Sequence, residues 1–184
     1  MADSKKNALR KMLLEKRDGI SAEMKVITSR QIQKKIQKIK NYAEATSIAS
    51  YYPIGSEVLT QSIMQDILSK GVKLSLPKII NGMLEYRQVS DFTQMEMGKF
   101  DIPEPRADAK LVEDIDVILV PAVGLSRDGN RLGYGRGYFD KFLAQNDVTS
   151  IALSYSKQLV GNIPTDDTDI PVNWIVTEDQ IIKI

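Results

Sequence analysis

The sequence predicts an α/β protein: a single-domain, three-layer α/β/α sandwich with a mostly parallel central sheet and N-terminal helices. Three observations carry this expectation. Residues 47–76 read as strand, helix, strand, the βαβ unit that joins two parallel strands. Residues 115–120, IDVILV, form a continuous apolar run, as a strand covered on both faces requires. Strand-like and helix-like stretches alternate along most of the chain, the pattern of helices layered on a sheet.

The elements follow in order. Residues 4–17 have Leu9, Met12 and Leu13 at helical spacing, and Gly19 ends that helix. Ser21 is placed to cap a second helix, with Glu23 in its first turn, where the helix dipole favours an anion. Met24, Ile27, Ile32, Ile36 and Ile39 are expected on its buried side, and Lys34, Lys35, Lys38 and Lys40 on its wet side. Residues 47–52 read as a strand and 53–55 as a turn. Residues 57–70 read as a helix with Val58, Ile63, Ile67 and Leu68 inward, stopped by Gly71. A strand over 72–76 closes at Pro77, and another over 84–89 follows the Asn81-Gly82 turn. Residues 91–113 and 121–137 read as loops around the buried strand. A helix then runs through Phe139, Phe142 and Leu143, and residues 150–153 and 174–176 supply short final strands. No repeat or linker divides the chain, so residues 1–184 are taken as one domain.

Composition excludes much chemistry. The chain has 184 residues, no cysteine and no histidine. Disulfides, thiolate nucleophiles, imidazole bases, Ser-His-Asp triads and zinc or iron–sulfur sites built on these side chains are all ruled out. With 25 Lys+Arg against 24 Asp+Glu the net charge is +1, which lacks the bulk field of a non-specific nucleic-acid or anionic-membrane binder. No run approaches the roughly 20 apolar residues of a spanning helix, and no apolar core of a signal peptide opens the chain. A cytoplasmic protein is expected.

The informative segment is GNRLGYGRGYFD, residues 129–140, where four of the 11 glycines fall between Gly129 and Gly137. It lies after a buried strand and before a helix, the position at which open α/β sheets hold ligands. Glycines let amide groups approach an anion. Arg131 and Arg136 add charge-assisted donors, Tyr134, Tyr138 and Phe139 add flat faces, and Asp140 adds a hard oxygen ligand suited to Mg²⁺. No Gly-Lys-Ser/Thr follows and the spacing is GxGxG, so this is neither a Walker loop nor the dinucleotide fingerprint. On residue chemistry alone, an anion site and a structural loop both remain open.

The runs DVILVPAVGL (116–125) and GNRLGYGRGYFDKFL (129–143) closely resemble the 5-formyltetrahydrofolate cyclo-ligase family. The resemblance extends to KNALR (6–10), SYYPIGSEVLT (50–60), LPK (76–78) and IPEP (102–105), and so covers nearly the whole chain. It implies an enzyme that uses ATP and Mg²⁺ to convert 5-formyltetrahydrofolate into 5,10-methenyltetrahydrofolate, ADP and phosphate. The formyl oxygen attacks the γ-phosphate, and N10 then closes the ring as phosphate leaves. Such chemistry asks the protein mainly to position groups and neutralise charge, which a chain without His or Cys can do.

The resemblance also assigns residues. Lys6, Arg10 and the segment Arg131, Leu132, Gly133, Tyr134, Gly135, Arg136, Gly137, Tyr138 and Phe139 are implied nucleotide contacts. Tyr52, Glu57, Tyr134, Gly135, Arg136, Gly137 and Tyr138 are implied folate contacts, with Arg136 and Tyr138 nearest the chemistry. Asp140 and Asp169 are implied Mg²⁺ ligands, although Asp166 and Asp167 are close to the second. Each has a plainer reading: a solvated basic face for Lys6 and Arg10, a favourable first-turn charge for Glu57, packing for Phe139, turn chemistry for the aspartates. Lys78, at the end of a strand, could face the phosphates but is left out of the expected site. Local wording departs from the commonest family form at Gly124-Leu125 and Tyr138-Phe139. The expected partners are 5-formyltetrahydrofolate and ATP, with neither nucleic acid nor membrane, for a monomer. Two other readings compete: a non-catalytic folate- or nucleotide-binding protein, and a sugar-phosphate isomerase on a similar scaffold, the latter by fold analogy alone.

Overall fold

The computed structural model describes residues 2–98 and 102–184. Helix α1 (Ala2–Asp18) is followed by α2 (Ala22–Ile36) and the single turn α3 (Lys40–Ala43). The chain then forms β1 (Ser47–Ala49), α4 (Gln61–Ser69), β2 (Lys73–Ile80) and β3 (Met83–Gln88). After a short 3₁₀ turn come β4 (Met95–Met97), β5 (Pro103–Pro105), β6 (Val117–Pro121), β7 (Gly124–Ser126) and β8 (Arg131–Leu132). Helix α5 (Tyr138–Gln145), β9 (Thr149–Leu153), β10 (Leu159–Val160), β11 (Trp174–Val176) and β12 (Ile181–Lys183) complete the order.

The main sheet runs β12-β11-β9-β6-β1-β2-β3. Its five inner strands are parallel, and β12 and β3 close the two edges antiparallel. Alternation along each inner strand feeds two cores. Ile48, Val117 and Leu119 face the cluster that includes Ile32 and Ile36 of α2 and Ile63, Met64 and Ile67 of α4. Ala49, Ile118 and Val120 face Phe139, Phe142 and Leu143 of α5. Helix α1 lies elsewhere: Leu13 joins Val123, Leu132 and Ile163 over a small sheet ordered β10-β7-β8. The predicted three layers are present, with this second small sheet added where the sequence reads as loop.

Several boundaries move, each for a physical reason. Residues 57–60 are not helical, and α4 starts at Gln61. Side chains hold this stretch in an irregular path: the Thr60 hydroxyl donates to the Tyr51 carbonyl at 2.6 Å, and the Leu59 amide donates to Ser29 Oγ at 3.0 Å. Strand β2 runs through Pro77, because β1 ends opposite Ser75 and no longer needs an amide there. Asn81 (φ 52°) and Gly82 (φ 78°) both take the left-handed conformation of a tight hairpin turn, which lets β2 continue directly into β3. Ser21 caps α2 as expected, its Oγ accepting from Met24 N at 3.2 Å. Met24 and Ile27, however, are exposed, as is Met12 on α1, while Thr28, Ser29, Ile32 and Ile36 are buried. Helix α2 stops at Ile36, and Ile39 reaches the core from the cap of α3. Of the loop expected at 91–113, residues 99–101 lie outside the described residues, and the flanks pair as the β4–β5 ribbon.

Topology locates the crevice. From β1 the chain moves outward through α4 to β2 and β3, then returns to β6 on the other side of β1 and continues to β9 and β11. β1 and β6 are therefore parallel neighbours whose onward connections diverge. The crevice beyond their carboxyl ends is where an open α/β sheet accepts a ligand.

Candidate functional site at the strand switch point

Three segments meet beyond β1 and β6. The 50–60 turn leaves β1, the 133–137 glycine loop lies between β8 and α5, and α1 crosses between them. Gly137 caps α5 with φ 66°, and Gly135 adopts φ 91°, conformations that side chains with a Cβ resist. A Cβ on Gly133 would stand 2.7 Å from Arg131 Nη1, and one on Gly135 would stand 3.4 Å from Arg10 Nη2. Glycines thus let two guanidinium groups lie directly against the loop.

Lys6 and Arg10 share one face of α1, as i, i+4 spacing dictates. Arg10 Nε donates to the Gly133 carbonyl at 2.7 Å. Lys6, 9% exposed, reaches across to the C-terminal part of the chain and contacts Asp166 at 2.8 Å and Asp169 at 2.6 Å. Burial disfavours its ammonium, but the two carboxylates outweigh that and raise its pKa above the ordinary lysine value. The same ion pair, with Thr168, pulls Asp166 down to about 2. Arg131 is buried and pairs through Nη2 with Asp140 Oδ2 at 2.9 Å, while its guanidinium lies 5.4 Å from the Phe139 ring centre. Asp140 sits in the first turn of α5, and its Oδ1 faces the Ile170 amide at 3.4 Å. Asp140 and the chain just after Asp169 are therefore neighbours. Two acidic oxygen donors, each now facing a cation, match the way Mg²⁺ takes one or two carboxylates and completes its shell with phosphates and water. Among the described residues no group of three acidic side chains forms a metal cage, so these donors fit Mg²⁺ only in company with a nucleotide.

The turn after β1 presents Glu57, 3% exposed. Its Oε2 accepts from the Ile54 amide at 2.8 Å, and its backbone carbonyl accepts from the Tyr155 hydroxyl at 3.1 Å. Oε1 is buried with no hydrogen-bond partner among the described residues, although the Tyr134 hydroxyl approaches the carboxyl. Burial raises the Glu57 pKa above the ordinary carboxyl range, opposed in order by the Ile54 amide, the Arg17 charge and Tyr134. A buried acceptor left open in this way suits a ligand N–H.

The remaining expected residues fall at different distances from this centre. Arg136 is exposed and makes no ion pair or hydrogen bond among the described residues, and Tyr138 is half-buried at the start of α5. Leu132 points into the small core over the β10-β7-β8 sheet, and Phe139 packs against the α5 side of the main sheet. Any contact Leu132 makes with a ligand is therefore through its backbone. Tyr52 lines a cleft of about 400 Å³ with Gln61, Gln65, Phe92, Met95 and Met97. Lys78 lies at the β4–β5 ribbon, where it also donates to the Pro105 carbonyl at 2.9 Å. It contacts Glu96 at 2.9 Å and Glu104 at 3.5 Å, and so clamps the ribbon that walls this cleft. Sequence reading missed Arg17. The signal was available, since residues 6, 10, 13 and 17 lie on one helical face.

The comparisons with known proteins agree with this fold. Residues 2–178 match the model of the 5-formyltetrahydrofolate cyclo-ligase family. The chain is 28% identical to the 5-formyltetrahydrofolate cyclo-ligase of Mus musculus, covering 97% of this chain and 96% of that one. It is 30% identical to that of Mycoplasma pneumoniae, covering 95% and 99%. The NMR structure of Aquifex aeolicus 5,10-methenyltetrahydrofolate synthetase superposes with a TM-score of 0.88 at 32% identity, over 97% of this chain and 92% of that one. With the family model matching nearly the full length and the fold shared, the chain belongs to the 5-formyltetrahydrofolate cyclo-ligase family.

Proposed function

We propose that this chain closes 5-formyltetrahydrofolate to 5,10-methenyltetrahydrofolate at the expense of MgATP. The observation that carries the reading is a juxtaposition. A cationic glycine loop, suited to phosphates, abuts a buried carboxyl whose Oε1 is open, suited to the N–H groups of a pterin ring.

In this reading Lys6, Arg10 and Arg131 bind the triphosphate together with the amides of residues 131–139, and the exposed Arg136 reaches the transferring phosphoryl group. Glu57 accepts hydrogen bonds from the pterin and Tyr52 flanks the folate, while Tyr138 lies where the two substrates meet. The formyl oxygen attacks the γ-phosphorus. The new O–P bond forms as the bond to the β-phosphate oxygen breaks, and ADP leaves. N10 then attacks the formyl carbon, its N–H proton is lost, and the C–O bond breaks with departure of phosphate. Fixed donors and cations suit this sequence because little covalent chemistry falls to the protein. Asp140 and Asp169 would hold Mg²⁺, which supplies charge neutralisation on the phosphate oxygens. Asp169 is favoured over Asp166 and Asp167 because the adjoining Ile170 amide faces Asp140. Nucleotide phosphates arriving at Lys6 and Arg131 would draw these cations from Asp169 and Asp140 and leave both carboxylates open to the metal.

The test is an absorbance assay for the methenyl product, with and without MgATP. Product is expected only with MgATP. Product without ATP would exclude phosphorylation of the formyl oxygen. Tight folate binding without turnover would favour the non-catalytic reading.

A further inference from the structure

Arg17 is a charged side chain, 2% exposed, at the centre of the switch point. Its planar group reaches three segments at once. Nε donates to Ser56 Oγ at 2.8 Å, in the turn after β1. Nη1 donates to the Ala122 carbonyl at 3.3 Å, just beyond β6. Nη2 donates to the Tyr134 hydroxyl at 2.7 Å, in the glycine loop. Ser56 Oγ in turn donates a hydrogen bond to Asp18 Oδ1.

No carboxylate lies within ion-pair distance of Arg17 among the described residues. A buried cation without such a partner is costly, and three hydrogen bonds alone do not require a charge. The charge does have a counterpart one step further on. Its field acts on the Glu57 carboxyl, whose Oε1 is open, and the Tyr134 hydroxyl stands between the two groups. The rigid fork of a guanidinium also fixes three directions together, which an ammonium does not.

We propose that Arg17 is a positioning residue for the folate side of the site: through Tyr134 and the Ser56 turn it holds the Glu57 carboxyl aimed at the pterin, and ties that carboxyl to the nucleotide loop. Arg17 itself touches no substrate. The inference rests on the reading of Glu57 as the folate-facing carboxyl.

The test uses Arg17→Gln, which removes the charge, Arg17→Lys, which keeps the charge without the fork, and Tyr134→Phe, which removes the hydroxyl from the exposed side. Thermal midpoints and steady-state constants for both substrates are measured on all three and on Arg17→Gln/Tyr134→Phe. Arg17→Gln is expected to raise the folate KM about ten-fold or more, the scale of one lost hydrogen bond to a charged group. Arg17→Lys should recover part of this, and the ATP KM should change less than the folate KM. The double variant should be no worse for folate than Arg17→Gln, because both substitutions interrupt one path. A folate KM within about two-fold of wild type in a destabilised Arg17→Gln would reduce Arg17 to scaffolding and overturn the proposal. Fully multiplicative effects in the double variant would overturn the path through Tyr134. If Arg17→Gln does not fold, Arg17→Lys and Tyr134→Phe decide by the same criterion. Folate titrations by calorimetry give the same ranking without turnover. If wild type binds folate but does not turn it over, only the proposed reaction falls. If Glu57→Gln binds folate as well as wild type does, Glu57 is not the folate-facing carboxyl and the Arg17 proposal fails with that reading.

Discussion

Removing a carboxyl group from water raises its pKa, and the turn after β1 holds Glu57 buried in this way. An acid whose folded pKa exceeds its unfolded pKa contributes stability that is fully present below the unfolded value. That contribution is lost as pH rises through the folded one. Stability of wild type should therefore decline as pH climbs from the ordinary glutamate range through the raised value. Glu57→Gln removes this titration and keeps the Ile54 amide bonded through its side-chain carbonyl. The variant is expected to have a higher thermal midpoint than wild type at neutral pH and a flatter pH dependence, read by thermal denaturation across pH. Its affinity for folate is expected to fall about ten-fold or more, since a charge-assisted bond becomes neutral. A variant less stable than wild type at neutral pH would show that the ionised carboxylate is a stabilising group here. The same trade of stability for function explains why a buried Oε1 is left open.

At the scale of elements, what the sequence disclosed depended on whether local rules or tertiary contacts set the outcome. Ser21 signalled α2 because a cap is a local device, and the IDVILV run signalled β6 because burial on both faces needs no alternation. The β4–β5 ribbon gave no such signal. Its strands are three residues each, one is Pro-Glu-Pro, and Lys78 of β2 holds them from outside through Glu96 and Glu104. Residues 57–60 read as the start of a helix because Glu57 suits a first turn, but Ser29 and Tyr51, distant in sequence or hidden, claim its neighbours instead. The glycine loop was legible as a loop, whereas its conformation emerges only with α1 against it. There Gly137 is informative: it caps α5 at φ 66°, and a Cβ would meet nothing within 4 Å. Gly137→Ala therefore isolates the backbone term from any clash. It is expected to cost about 1 kcal/mol of stability, read by denaturant unfolding at unchanged slope. A loss several times larger would mean that the loop rearranges rather than strains.

Over the whole molecule, the candidate site joins parts of the chain that lie far apart in sequence. Lys6 and Asp166 are 160 residues apart in sequence, and Arg10 and Gly133 are 123 apart. Helix α1 supplies Lys6, Arg10 and Arg17 yet stays outside the two main cores, resting on Leu13 and its few partners over the small sheet. A helix held by a satellite cluster and polar contacts opens locally more readily than strands buried on both faces, such as β6 and β9. This distribution was only half legible in sequence. Lys6 and Arg10 stood out as a pair at helical spacing, but nothing local reveals that their partners lie near the far end of the chain. If the triphosphate binds between α1 and residues 131–139, ligand affinity must appear as protection of α1. At a free MgATP concentration about 100 times its Kd, binding adds about 2.7 kcal/mol to openings that release the ligand. Amides of α1 around residues 7–13 are then expected to exchange up to about 100-fold more slowly, while those of β12, remote from the nucleotide, keep their local rates. Unchanged exchange in α1 at saturating nucleotide would place the triphosphate elsewhere, because no ligand held by Lys6 and Arg10 can leave the opening of their helix unaffected.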